Sequence, residues 1–137
     1  MGTAQPAAST RVYIVDDSAP IRARLAEMLG AMEGVRIVGE AASAAGAVAG
    51  ILRLRPDSVL LDLDLTGRTG IDVMRSVHPA APEIVFVVLT NHAEPQYRRA
   101  AHAAGAAYFL DKSRELDRVR EVIAEIAATR HQEMRLQ

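Results

Sequence analysis

The sequence predicts an α/β fold, a five-stranded parallel sheet wound by helices on both sides, and three observations carry that reading. Five short aliphatic runs alternate with five stretches of helical periodicity. Several runs are apolar on consecutive residues, as in strands covered on both faces. At 137 residues, half of them apolar, the chain suits one domain with a core of ordinary size.

In chain order, residues 1–10 are small, polar and uncharged, and are expected to form a flexible arm. Strands are predicted at residues 11–15, 35–38, 58–63, 84–89 and 107–110, each short and rich in Val, Ile or Leu. The first helix places Ile21, Leu25, Met28, Leu29 and Met32 on one face. Ser18 is its expected N-cap, Pro20 suits its first turn, and Gly30 and Gly34 mark its end. A second helix is predicted over 44–55, with Val48, Ile51 and Leu52 inward and Pro56 ending it. In this alanine-rich helix, Gly46 and Gly50 read as weak points costing about 1 kcal/mol each relative to Ala. A short third helix covers 71–77. Pro95 opens a fourth, which stops at Gly105. Leu116, Val119, Val122, Ile123 and Ile126 define the fifth, with 129–137 as its extension. Domain boundaries are therefore expected at 11–128.

Composition excludes several function classes. The 16 basic and 17 acidic residues give a net charge of -1, which provides no broad cationic field for nucleic acid or anionic lipid. No cysteine is present, so disulfides, thiolate metal sites and cysteine nucleophiles are excluded. No apolar run approaches the roughly 20 residues needed to span a bilayer, and residues 1–10 lack the pattern of a secretion signal. Direct nucleic-acid binding and membrane insertion are not expected, and a cytoplasmic location is.

In an open parallel sheet, ligands bind beyond the carboxyl ends of the strands. Those ends carry Asp16 and Asp17 after the first strand, Asp62 and Asp64 at the third, Thr90 after the fourth and Lys112 after the fifth. Carboxylates near 4 Å apart repel by roughly 4 kcal/mol per pair at an effective dielectric of about 20, so a cation is required among them. All-oxygen ligands favour a hard ion, Mg²⁺ where carboxylates meet phosphate. Thr90 and Lys112 then supply a hydroxyl and a compact positive charge for phosphoryl oxygens.

The segments VYIVDDSAP, SVLLDLDLTGRTGIDVM, VFVVLTNHA and AAYFLDKS, in this order and spacing, resemble the receiver domain of two-component response regulators. The resemblance implies a flavodoxin-like strand order 2-1-3-4-5 and a phosphoacceptor, Asp62, that receives its phosphoryl group from a histidine kinase or histidine phosphotransfer protein. It implies Mg²⁺ held by Asp17, Asp62 and the backbone carbonyl of Asp64, with Asp16 assisting through water. Thr90 and Lys112 would bind phosphoryl oxygens. Thr90 and Phe109 would form the switch, and Asp64, Asn91 and His92 would tune the lifetime of the phosphoryl group. The face of helix 4, strand 5 and helix 5 is a homodimer surface in this picture. The expected protein is a single-domain, non-enzymatic regulator whose output is binding to a protein target.

Departures from the family pattern are Leu65-Thr66 in place of Met-Pro, Asn91 in place of a very small residue, and Ser113 after Lys112 in place of proline. The last leaves the geometry of the Lys112–Ser113 peptide open. Two other readings are carried forward: a haloacid-dehalogenase-like phosphatase, since Asp62-x-Asp64-x-Thr66 fits that motif, and an unphosphorylated pseudo-receiver interaction module. His78, His92, His102 and His131 have no metal-ligand spacing, and the pairs Arg53/Arg55, Arg98/Arg99 and Arg118/Arg120 read as solvated helix faces.

Overall fold

The computed structural model describes residues 9–135. Its strands are β1 (Thr10–Val15), β2 (Val35–Ala41), β3 (Ser58–Leu61), β4 (Val85–Thr90) and β5 (Ala106–Asp111). All pair in parallel, in the order β2-β1-β3-β4-β5. The consecutive apolar residues of the central strands are explained by two cores, one on each face of the sheet. Tyr13, Val15, Val59, Leu61, Phe86, Val88 and Phe109 point to one core. Their neighbours Val12, Ile14, Leu60, Val87, Leu89 and Leu110 point to the other.

The helices divide accordingly. Among them, α1 (Ala19–Gly30) and the last helix, α6 (Arg118–Arg135), cover the second core through Leu25, Leu29, Val119, Val122, Ile123 and Ile126. The first core is covered by α2 (Ala44–Leu54), α3 (Gly70–Val77) and α4 (Pro95–Ala104). Ser18 caps α1 as expected, its hydroxyl accepting from the Ile21 N–H. Thr69 and Asp72 form a reciprocal capping box at the start of α3. No helix among the described residues is long and apolar enough to cross a membrane.

Several expectations are corrected. Thr10, assigned to the arm, opens β1 and is buried, while residues 1–8 lie outside the described residues. The third strand ends at Leu61, not residue 63. The fifth helix is split: a single turn, α5 (Lys112–Glu115), precedes α6. The split has a local cause, because the Asp111 carboxylate accepts from both the N–H and the hydroxyl of Ser113 and caps a new helical start there. Proline at 113 could not donate that bond. No cis peptide bond occurs among the described residues. Of the extension at 129–137, the part up to Arg135 continues α6, and Arg130 pairs with Asp57 at 3.2 Å. Residues 136–137 lie outside the described residues.

The inward face of α2 also differs. Ala44, Ala47, Gly50 and Ile51 are fully buried, whereas Val48 and Leu52 are half-buried. Tyr13 packs against the helix in this position. Its ring lies against two glycines from different elements, Gly39 in β2 and Gly50 in α2. A Cβ at Gly39 would meet the ring at 2.6 Å, and one at Gly50 would overlap the Tyr13 hydroxyl and lie 2.9 Å from Cζ. The hydroxyl itself donates to the Glu40 carbonyl at 3.3 Å. Gly50 is therefore a contact site and not merely a weak point. Gly50→Ala should destabilise the fold by about 1–3 kcal/mol despite alanine's better helix propensity. The denaturation midpoint should recover when Tyr13→Leu is added, the non-additivity reporting the contact.

Candidate functional site

Asp16, Asp17, Asp62, Thr90 and Lys112 meet on the carboxyl rim because β1, β3, β4 and β5 are successive neighbours in a parallel sheet. Asp16 and Asp62 are almost fully buried, Thr90 is fully buried, and Asp17 is exposed. Carboxylate oxygens of Asp16, Asp17 and Asp62 lie within 4.8 Å of one another. The Lys112 ammonium donates to Asp16 Oδ2 at 2.6 Å and to Asp62 Oδ2 at 3.0 Å, with its side chain only 10% exposed. The predicted juxtaposition is thus present for Asp16, Asp17, Asp62 and Lys112, with the lysine bridging two buried acids.

Backbone contacts fix each acid. The Asp62 N–H donates to the Val15 carbonyl at 2.9 Å, prolonging the β1–β3 pairing past the end of the strand. Asp62 Oδ1 accepts from the Asp64 N–H at 3.2 Å. Behind it, Gly70 is packed so closely that any Cβ would overlap the Asp62 carbonyl. The glycine lets the start of α3 sit directly on the Asp62 peptide. Asp16 Oδ1 accepts from the Ser18 N–H at 2.8 Å.

Burial pushes the Asp62 carboxyl above its ordinary pKa, with Asp16 adding to the effect and Lys112 and the Asp64 N–H opposing it. Burial works against the charge of Lys112 as well, but its two carboxylate partners outweigh it and hold the ammonium above the usual lysine value. The donor set is oxygen only, open to solvent at Asp17, and near the span of an octahedral shell with bonds of about 2.1 Å. These features fit a small hard cation. A hollow of about 320 Å³ opens beside Asp17 and Asp64.

The remaining candidates fall around the mouth. The Asp64 side chain lies outside the acidic trio and pairs with His92, Oδ2 to Nε2 at 2.6 Å. That contact joins the β3–α3 loop to the β4–α4 loop. The His92 N–H donates to Thr90 Oγ1 at 3.1 Å, and its ring lies 5.2 Å from that of Tyr97. Asn91 is exposed. Phe109 is buried, and the Arg98 guanidinium stands 4.6 Å above its ring, so Arg98 is not simply part of a solvated face. His78 is half-buried and packed against Gly105, with Nδ1 buried and unpartnered among the described residues. Arg22, which carries no signal in a single sequence, donates from Nη1 to the Asp16 carbonyl at 2.8 Å.

The family model for the response regulator receiver domain matches residues 12–124. The chain is 33% identical over 102 residues to the DNA-binding transcriptional activator DevR/DosR of Mycobacterium tuberculosis, covering 74% of this chain and 47% of that protein. It is 30% identical over 118 residues to the response regulator GacA of Pseudomonas aeruginosa, covering 86% and 55%. The chain therefore spans about half the length of these curated relatives. Among solved structures, the REC domain of AraT, a response regulator from Geobacillus stearothermophilus, superposes with a TM-score of 0.77 at 26% identity, covering 90% of this chain and 97% of that one. Receiver domains are in general non-enzymatic phosphoacceptors that bind Mg²⁺ at an acidic pocket. By sequence match, strand order and acidic rim together, this chain belongs to the response regulator receiver domain family of two-component signalling.

Proposed function

We propose that this receiver accepts a phosphoryl group on Asp62 from a phosphohistidine of a sensor histidine kinase or a histidine phosphotransfer protein, and that it signals through altered partner binding. The observation that carries this reading is the buried Asp62 carboxylate, held at the end of a central strand with Asp16 and Asp17 close by and Lys112 on one oxygen. An Asp62 oxygen forms the O–P bond while the P–N bond of the donor breaks, the imidazole nitrogen leaving with the electron pair. The chain's task is positioning and charge neutralisation. Lys112 already lies within reach of Asp62, and Thr90 ends the adjacent strand, so both are assigned to the phosphoryl oxygens. Asp17, Asp62 and the Asp64 carbonyl are assigned to Mg²⁺, with Asp16 assisting through water. The ion supplies neutralising charge and orientation when bound.

Other readings fit less well. A dehalogenase-like phosphatase would use Asp64 as general acid, yet its side chain pairs with His92 outside the acidic trio. A pseudo-receiver has no need of an intact acidic set with a bridging lysine. For partner exchange or a second copy of the chain we assign the face of α4, β5 and α6, where Tyr97 is the exposed large hydrophobic among the described residues. Phosphorylation reaches it through Thr90 and Phe109 in this reading.

Acetyl phosphate with Mg²⁺ should label the protein to at most one phosphoryl group per chain, and Asp62→Asn should abolish labelling. Sustained turnover of p-nitrophenyl phosphate would instead favour the phosphatase, and no labelling under saturating donor and metal would favour the pseudo-receiver. In metal-free buffer at neutral pH, Asp62→Asn should stabilise the fold, because a carboxylate with a raised pKa opposes folding when ionised. That gain should shrink as pH falls through the raised Asp62 value and vanish below the ordinary carboxylate value, where the group is protonated in both states. Unfolding curves across pH test it.

The Asp64–His92 contact spans the two loops flanking Asp62, and we assign it to restricting the approach of water. His92→Ala should shorten the lifetime of the phosphorylated form, measured by loss of label after donor removal. An unchanged lifetime would assign rate control elsewhere, Asn91 being the neighbouring candidate.

A further inference from the structure

We propose that Arg22 is a positioning residue for the metal site, acting through the peptide that joins Asp16 to Asp17. This rests on the reading of the acidic trio as a Mg²⁺ site. Asp17 contributes its oxygen to that trio, yet its exposed carboxylate has no hydrogen-bond partner among the described residues. Its direction is therefore set by the backbone that carries it. Asp16, by contrast, is held at every polar group. Its N–H donates to the Ala41 carbonyl at 3.1 Å, its side chain takes Ser18 N–H and Lys112, and its carbonyl accepts from Arg22 Nη1 at 2.8 Å.

The Asp16 carbonyl is one end of the peptide plane whose other end is the Asp17 nitrogen. Fixing that oxygen fixes the plane, and with it the position of the Asp17 Cα from which the side chain departs. Arg22 is itself anchored. It lies in the first turn of α1, its Nε donates to Glu40 Oε1 at 3.0 Å across to β2, and its side chain is only 20% exposed. One planar guanidinium thus ties α1, β2 and the acidic loop together, a geometry that a lysine's single ammonium cannot reproduce. Groups that orient ligands without touching a metal typically change its affinity by about 10–100-fold when removed.

The experiment is a calorimetric titration of the full chain with Mg²⁺ alone, comparing wild type with Arg22→Met, Arg22→Lys and Glu40→Gln. Arg22→Met retains most of the aliphatic stem and should weaken Mg²⁺ binding about 10-fold. The Mg²⁺ concentration giving half-maximal acetyl phosphate labelling should rise in parallel. Arg22→Lys should recover part of the affinity, and Glu40→Gln should lose less than Arg22→Met. Should Arg22→Met fail to fold by circular dichroism, the lysine and glutamine variants carry the comparison. Wild-type Mg²⁺ affinity in every folded variant, even with a lowered melting temperature, would overturn the positioning role. A wild-type protein that itself binds no Mg²⁺ would overturn the metal reading on which the role depends.

Discussion

The Lys112 ammonium, shared between two nearly buried carboxylates, is the interaction on which the rest of the site depends. Two like charges at the ends of adjacent strands would repel by several kcal/mol if left alone, and neither can be hydrated freely. One compact cation between them converts that conflict into a cross-link joining β1, β3 and the turn after β5. The turn is built for the purpose. Asp111 ends β5 and caps α5, so Lys112 is aimed inward at the first helical position, where a continuous loop would leave it wandering. With Asp17 added, negative charge still exceeds positive at the rim, which is the imbalance a divalent cation and a phosphoryl group would share in the proposed function.

The sheet makes this convergence cheap in chain terms. Asp16 and Lys112 are 96 positions apart in sequence, yet each need only follow the carboxyl end of its own strand to meet the other. Parallel pairing aligns those ends on one rim, and the two cores hold the strands from both faces. The helices contribute unequally. Close contact of α3 with the Asp62 peptide requires Gly70, and close contact of α2 with Tyr13 requires Gly50. Both glycines act through the space they leave, one at the site and the other in the scaffold below it.

What the sequence made legible follows from the range over which each signal acts. Strands declared themselves through consecutive aliphatic residues, because burial on both faces leaves no polar alternation. Asp16, Asp17, Asp62, Thr90 and Lys112 were legible because a strand's end marks its position in the rim whatever the partners do. The face of α2 was not. It packs against Tyr13, which reaches Gly39 and Gly50, a fit between three elements that no local periodicity encodes. The break between α5 and α6 was written in Asp111 and Ser113, but apolar spacing from Leu116 onward masked it. The contacts of Arg22, Arg98 and His78 were not legible, since the groups they meet lie on other elements.

These distant pairings also distinguish α4 from its neighbours. It buries only Ala101 and offers an exposed Tyr97, so little of its position is determined by apolar contact. Polar and aromatic contacts hold its first turn instead: His92 against Tyr97, and Arg98 over Phe109. Each is worth on the order of 1 kcal/mol, well below the cost of displacing a helix with a full apolar face. The loop into α4 begins at Thr90, whose hydroxyl accepts the His92 N–H, and His92 in turn holds Asp64 beside Asp62. In the proposed function, a group that drew the Thr90 hydroxyl toward Asp62 would disturb His92, and through it both the mouth of the site and the lightly held helix. Chemistry at the rim would in this way be joined to a face held by few apolar contacts.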